Sequence, residues 1–208
     1  MMRTIIWDID DVLNGLTREW LEHEWRPAHP GCAVRYEDLH VNPPHEALGV
    51  PRDEYLRSLD RFRASERGRN LVPAPEAVAW FERHGDSCRH VALTARPMAS
   101  APSAAEWVFR HFGAWIRAFG FVPSGRPAER IPAYDETKAD WLAWLGAGDV
   151  MIDDAPSNLE SCPRLGLEPV LVPQPWNRAA GSLGDTLNRL TVLASAGTAP
   201  RRPTAPPP

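Results

Sequence analysis

The chain has 208 residues, 23 basic and 27 acidic side chains, a net charge of −4 and an apolar share of 43%. That size suits one medium domain, or one core with a modest insertion. The slightly negative balance and the lack of a long basic run exclude a nucleic-acid polymer as the main partner. No apolar run approaches the ~18 residues of a membrane span.

Cys32, Cys88 and Cys162 are odd in number and far apart. They suit neither a disulfide framework nor a zinc site, and predict a reducing, cytoplasmic setting. The opening run Ile5-Ile6-Trp7 is too short for a signal peptide and ends in acids. The chain is rich in arginine, yet Lys138 is its only lysine. Lysine supplies a compact point charge that arginine does not, so a lone survivor is conspicuous.

In chain order, Thr4 to Trp7 reads as a strand buried on both faces, since it is short, β-branched and not alternating. Asp8, Asp10 and Asp11 follow where that strand ends. Leu16, Trp20, Leu21 and Trp25 predict an amphipathic helix ending near Pro27. A Pro-, Gly- and His-rich passage to Pro51 predicts turns, with a short helical piece around His45 to Leu48. Tyr55, Leu56, Leu59 and Phe62 predict a helix with Arg57, Arg61 and Arg63 on its solvated side. Ser65 to Asn70 reads as a polar loop. No strand is predicted between about 14 and 72.

An alternating pattern then begins. Helices are predicted from Pro75 to His84, Ala104 to Phe112, Thr137 to Leu145 and Leu183 to Leu193. Strands are predicted at His90 to Thr94, Phe119 to Val122, Asp149 to Asp153 and Pro169 to Val172. The resulting fold class is α/β, a doubly wound, parallel, five-stranded, Rossmann-like sheet. Residues 1–13 and 73–196 form its core, 14–72 an inserted small helical cap, and 197–208 a disordered Pro-rich tail.

Ligands of open α/β sheets bind at the carboxyl ends of the strands. Asp8 and Asp10, Thr94-Ala95-Arg96, and Asp153-Asp154 fall at three such ends, and Lys138 opens the helix before the fourth strand. Like charges held together need a cation or a proton between them, and Mg²⁺ accepts carboxylate oxygens. Phosphoryl transfer uses such a set: a carboxylate nucleophile, a second acid for proton transfer, and groups that hold the phosphoryl oxygens.

These motifs resemble the haloacid dehalogenase superfamily, a large group of mostly phosphatases. The apolar run into Asp8-Ile9-Asp10-Asp11-Val12 matches its first motif, Val91 to Thr94 its second, Lys138 its third and Val150 to Asp154 its fourth. The resemblance implies that Asp8 is the nucleophile and Asp10 the general acid/base. It implies that Thr94, the Ala95 N–H and Lys138 bind the phosphoryl group. Asp8, Asp10 through its carbonyl, Asp153 and Asp154 would hold Mg²⁺. The cap position is that of members with a helical cap of the first (C1) type. The expected function is a Mg²⁺-dependent phosphomonoester hydrolase acting through an aspartyl-phosphate, with a small-molecule phosphomonoester as partner.

Leu93-Thr94-Ala95-Arg96-Pro97 and Gln174-Pro175-Trp176-Asn177-Arg178 are similar to the 5′(3′)-deoxyribonucleotidase-like group, which implies a 5′-nucleotidase. That group often has glycine where this chain has Asp11. Arg96, Trp25 and Tyr36 are the candidate substrate contacts, the aromatics as platforms for a base. The alternatives are a sugar-phosphate or biosynthetic-intermediate phosphatase or mutase of the same fold, and a non-catalytic binding protein that kept the fold. Asp10 speaks against a dehalogenase, and the lack of a cap lysine against Schiff-base phosphonate cleavage.

Overall fold

A computed structural model describes residues 2–126, 132 and 134–195. The tail expected to be disordered, 197–208, lies outside the described residues. Strand β1 (Thr4–Trp7) lies at the centre of a sheet of five parallel strands in the order β3-β2-β1-β4-β5. Its neighbours are β2 (Arg89–Arg96) and β4 (Val150–Asp153), with β3 (Ile116–Pro123) and β5 (Glu168–Leu171) at the edges. Register pairs Trp7 with Ala92 on one side and with Ile152 on the other.

The side-chain alternation of strands sorts these residues between two apolar layers. Ile5, Trp7, Ala92, Val150 and Ile152 pack on one face. Ile6, Val91, Leu93 and Met151 pack on the other. α1 (Leu16–Trp20) runs through a π-helical turn (Leu21–Trp25) into α2 (Arg26–Ala28). Next come α3 (Arg52–Ala64), α4 (Glu66–Arg69), α5 (Pro75–His84) and α6 (Ala101–Phe112). The series ends with α7 (Lys138–Leu145), α8 (Pro156–Leu159) and α9 (Leu183–Ser195). α5, α6 and α9 cover the first face through Trp80, Phe81, Trp107, Phe112, Leu187 and Leu190. α7 and α8 cover the second through Leu142 and Leu159.

Residues 16–71 carry a separate buried cluster built on Leu16, Trp20, Trp25, Tyr55, Leu59 and Phe62. This block meets the sheet layers at an isolated antiparallel bridge between Asn14 and Pro73. The described residues of the block contain no strand beyond that bridge, as its composition predicts.

Four local expectations need correction. Ser65 to Asn70 is not wholly a loop: the Ser65 hydroxyl accepts from the Gly68 N–H at 3.1 Å and starts α4. The passage around His45 to Leu48 forms hydrogen-bonded turns rather than a helix. β2 runs two residues past Thr94, so Arg96 is a strand residue. α6 begins before Ala104, with Pro102 in its first turn, where proline loses nothing because that N–H has no helical acceptor. Among the described residues no helix is long and apolar enough to cross a membrane.

Candidate active site

The strand order reverses at β1 and β4, and in doubly wound sheets the crevice at such a reversal receives the ligand. The chain leaves β1 there in a tight turn. Asp8 N–H still bonds the Ile152 carbonyl at 2.9 Å, and Leu13 N–H returns to the Ile9 carbonyl at 2.9 Å. This turn presents Asp8 and Asp10 at the carboxyl edge of the sheet. Asp11 sits within it at φ +60°, a left-handed backbone that glycine adopts freely and Asp tolerates better than most residues. Its carboxylate accepts from the Thr17 N–H at 2.9 Å and the Thr17 hydroxyl at 2.5 Å, tying the turn to α1. Glycine at this position would lack that tie.

Asp8 is 6% exposed. Lys138 Nζ lies 2.7 Å from Asp8 Oδ1 and 2.7 Å from Asp153 Oδ2. The ammonium is held in place because Thr137 caps α7 with a reciprocal Thr137–Asp140 box. Asp153 is completely buried and also accepts from Asn158 Nδ2 at 3.0 Å and the Ala155 N–H at 2.9 Å. Asp154 Oδ2 accepts from Trp176 Nε1 at 2.8 Å, and its carbonyl from Asn177 Nδ2 at 2.7 Å. One carboxylate oxygen from each of Asp8, Asp153 and Asp154 lies within 4.8 Å of the others.

Burial pushes the Asp8 carboxyl up to about 7, against the pull of Lys138. Burial raises Asp154 well above the carboxylate range, with Asp8 and Asp153 adding to it. Lys138 behaves in the opposite way: burial disfavours its charge, but Asp153 and Asp8 outweigh that and raise it. Three buried acids share one ammonium, so the cluster is short of positive charge. All its donors are hard oxygens at one edge, a set that fits Mg²⁺.

Asp10 stands apart from that cluster. Its carboxylate is 14% exposed and accepts from Arg63 at 3.1 Å and from Arg96 Nε at 3.0 Å. A second Arg96 N–H closes the pair. Burial opposes its ionisation, yet Arg96 and Arg63 hold the carboxyl below its ordinary value. Asp10 therefore stays an anion around neutral pH. Its side chain is taken up by these guanidinium groups, whereas the metal role expected of Asp10 belongs to its backbone carbonyl.

Asp8, Asp10, Thr94, Ala95, Lys138 and Asp154 line one cavity of about 220 Å³. Thr94 is 1% exposed and its hydroxyl bonds to no described residue. The candidate substrate contacts are placed differently. Trp25 is in the buried cluster of the helical block, stacked on His29, because its helical spacing puts it on the apolar face with Trp20. Tyr36 bonds Gln174 at 2.6 Å and lines a neighbouring cavity of about 490 Å³ with Asp11 and Arg18. Arg96 lies behind Asp10 as its partner.

Other residues reach the acid cavity without having been singled out. Tyr55, Leu59 and Arg63 of α3 line it, as does Arg126 after β3. Arg126 pairs with Asp60 through two hydrogen bonds of 2.7 and 2.9 Å. Arg63, expected on the solvated side of α3, is 8% exposed. Its spacing from Tyr55 and Leu59 puts it on their face, a signal present in the sequence and masked by its charge.

No protein-family model matches the chain, and no curated protein does. Solved structures do resemble it. Protein Tyrosine Kinase A of Mycobacterium tuberculosis superposes with a TM-score of 0.61 at 18% identity, covering 91% of this chain and 98% of that one. A candidate phosphoglycolate phosphatase from Lactobacillus delbrueckii gives 0.59 at 15%, covering 94% and 99%. A haloacid dehalogenase-like hydrolase from Streptococcus pneumoniae gives 0.56 at 12%, covering 90% of both chains. The fold is that of the haloacid dehalogenase-like hydrolases. Three of the four motif segments occupy its strand ends, and Lys138 opens α7 beside the same crevice. At these identities the likeness speaks for the haloacid dehalogenase-like fold alone, and the chemistry has to be argued from the side chains.

Proposed function

We propose that the protein is a Mg²⁺-dependent phosphomonoester hydrolase that works through an aspartyl-phosphate on Asp8. The observation that carries this reading is the setting of Asp8. It opens onto a cavity, touches the only lysine at 2.7 Å, and shares a carboxylate cluster with Asp153 and Asp154. Bound there by these three acids, Mg²⁺ would offset the negative charge that the nucleophile and a phosphoryl group bring together.

The chain's own groups supply the rest. Asp8 attacks phosphorus, while Lys138, the Thr94 hydroxyl and the Ala95 N–H hold phosphoryl oxygens. Asp153, fixed by Asn158 and the Ala155 N–H, keeps Lys138 in line with Asp8. Asp10 gives a proton to the leaving oxygen and later takes one from the attacking water. As an anion between Arg63 and Arg96 it is ready for the second task. For the first it must take up a proton as the substrate disturbs that ion pair.

Residues 14–72 act as a cap over this site. Tyr55, Leu59 and Arg63 are its contribution to the cavity wall, and its movement would admit substrate and exclude water. The finer reading, a 5′-nucleotidase, rests on the two short segments around Thr94 and Trp176. Trp176 and Asn177 support it only as holders of Asp154, and Tyr55 replaces Trp25 as the aromatic beside the cavity.

Phosphate release from nucleoside monophosphates and sugar phosphates, measured with Mg²⁺ and with chelator, tests both readings. Release that ignores chelator, or that persists in folded Asp8→Asn protein, would refute the mechanism. Equal or better turnover of sugar phosphates would refute the nucleotidase.

A further inference from the structure

Three guanidinium groups share two carboxylates beside the acid cavity. Asp10 lies against Arg63 and Arg96, and Asp60 lies against Arg63 and Arg126. The cluster has one positive charge in excess. It also forms a wall between two spaces, because Arg63 and Arg126 line both the acid cavity and a second cavity of about 460 Å³. That second cavity is bounded by Ser100 and Ser103 at the amino end of α6 and by Arg69, which pairs with no described acid. Glu106 also borders it but is paired with Arg110.

Arg63 is the informative member. Its side chain is only 9% exposed, and its buried Nε has no hydrogen-bond partner. Buried N–H groups are nearly always paired, so an orphan on the shared wall marks a donor kept for a group that arrives. The helix of 12 residues that starts at Ala101 turns the positive end of its dipole to the second cavity, on the far side of that wall. Guanidinium groups match carboxylate and phosphate oxygens with paired hydrogen bonds.

We propose that the leaving group of the substrate carries a second oxyanion, a carboxylate or a second phosphate, which Arg63 and Arg126 receive. The inference rests on the reading of the acid cavity as a phosphoryl-transfer site. A cavity of about 220 Å³ holds Lys138 and both arginines in its wall, so a short carbon skeleton spans the two ends. An uncharged leaving group, a nucleoside included, would leave the excess charge and the Arg63 donor unmatched, so this inference keeps the phosphomonoester hydrolase and speaks against the 5′-nucleotidase.

Two matched pairs test this. 3-Phosphoglycerate against glycerol 3-phosphate differs by one carboxylate; fructose 1,6-bisphosphate against fructose 6-phosphate differs by one phosphate. Binding is measured by calorimetry on Asp8→Asn protein with Mg²⁺, and kcat/KM on the wild type. The oxyanion member of at least one pair should bind about ten-fold tighter or more, the worth of one charge-assisted hydrogen bond. The pair that discriminates identifies the carboxylate or the phosphate. Arg126→Gln should bring the members of that pair to within about two-fold of each other, and Arg126→Lys should restore only part of the difference.

Equal binding within both pairs would overturn the proposal, as would a preference that Arg126→Gln leaves intact. Discrimination in binding without phosphate release from any compound would support it and refute the phosphatase reading instead. The wild-type comparison stands even where Arg126→Gln fails to fold.

Discussion

Asp8 and Asp153 lie on one ammonium with Asp154 beside them, and each of the three acids is at most 6% exposed. A cation that binds this cluster binds the folded state alone, so it should raise stability by RT ln(1 + [L]/Kd), about 2.7 kcal/mol at a hundred times Kd. Thermal unfolding with and without Mg²⁺ measures it. Asp154→Asn should shrink the shift while leaving the fold intact. Lys138→Met should act differently, because it strands Asp8 and Asp153 without their counter-charge. Breaking a buried pair in this way costs about 3–5 kcal/mol, readable as a lower urea midpoint in metal-free buffer. Asp10→Asn should keep the fold and lower kcat by about 10²–10⁴-fold, since a positioned acid/base is lost. A smaller loss on an aryl phosphate with a good leaving group would separate its acid role from its base role.

α3 joins the helical block to the site through one face. Tyr55, Leu59 and Arg63 point into the wall, whereas Arg57 and Arg61 make exposed pairs with Asp53 and Glu24. Arg61→Ala should therefore change stability by less than about 0.5 kcal/mol, the usual range for a surface ion pair. Arg63→Ala removes one of the two guanidinium partners of Asp10 and of Asp60, and should cost about 1.5–3 kcal/mol, the worth of a hydrogen bond to a charged group. Chemical denaturation of the two variants makes the comparison. In the same block Trp25 is 1% exposed and stacks on His29. Trp25→Ala should lower stability by about 3–5 kcal/mol, as large-to-small changes in cores do, and leave the order of substrate preference unchanged. A changed substrate order with unchanged stability would return Trp25 to the substrate side.

Across the whole molecule, the sheet is joined to its helical layer by a buried polar pair as well as by apolar packing. Trp7 Nε1 donates to His90 Nδ1 at 3.0 Å, and His90 Nε2 donates to the Gly85 carbonyl at 2.8 Å. This arrangement needs the neutral ring, and burial lowers the His90 pKa from its ordinary 6.5. The unfolded chain then takes up the proton first as pH falls. The His90 contribution is fully present above about pH 6.5 and is lost as pH drops from there through the lower, folded-state value. Urea midpoints at pH 7.5 and 5.5 should show it. His90→Gln should be less stable at pH 7.5 but show a shallower fall with acid. An unchanged slope would mean that other groups set the acid response.

The sequence by itself determined the order of strands and helices and the three sheet ends that carry the candidate site, two with acids and one with Thr94. Apolar runs, caps and glycine stops are local signals, and Asp8, Thr94, Lys138 and Asp153 needed only their place at element ends to be found. The sequence also showed that 14–72 interrupts the α/β alternation. Only tertiary structure decided which faces meet. Arg63 read as solvent-facing and Arg96 as a substrate contact until Asp10 was seen between them. Trp25 and Tyr36 read as substrate platforms until the first was found in the block's own core and the second beside Gln174. The reason is physical: a charged or aromatic side chain has no preferred surroundings in its own stretch of chain. Its partner is set by elements that lie far away in sequence, here 53 residues for Arg63 and 86 for Arg96.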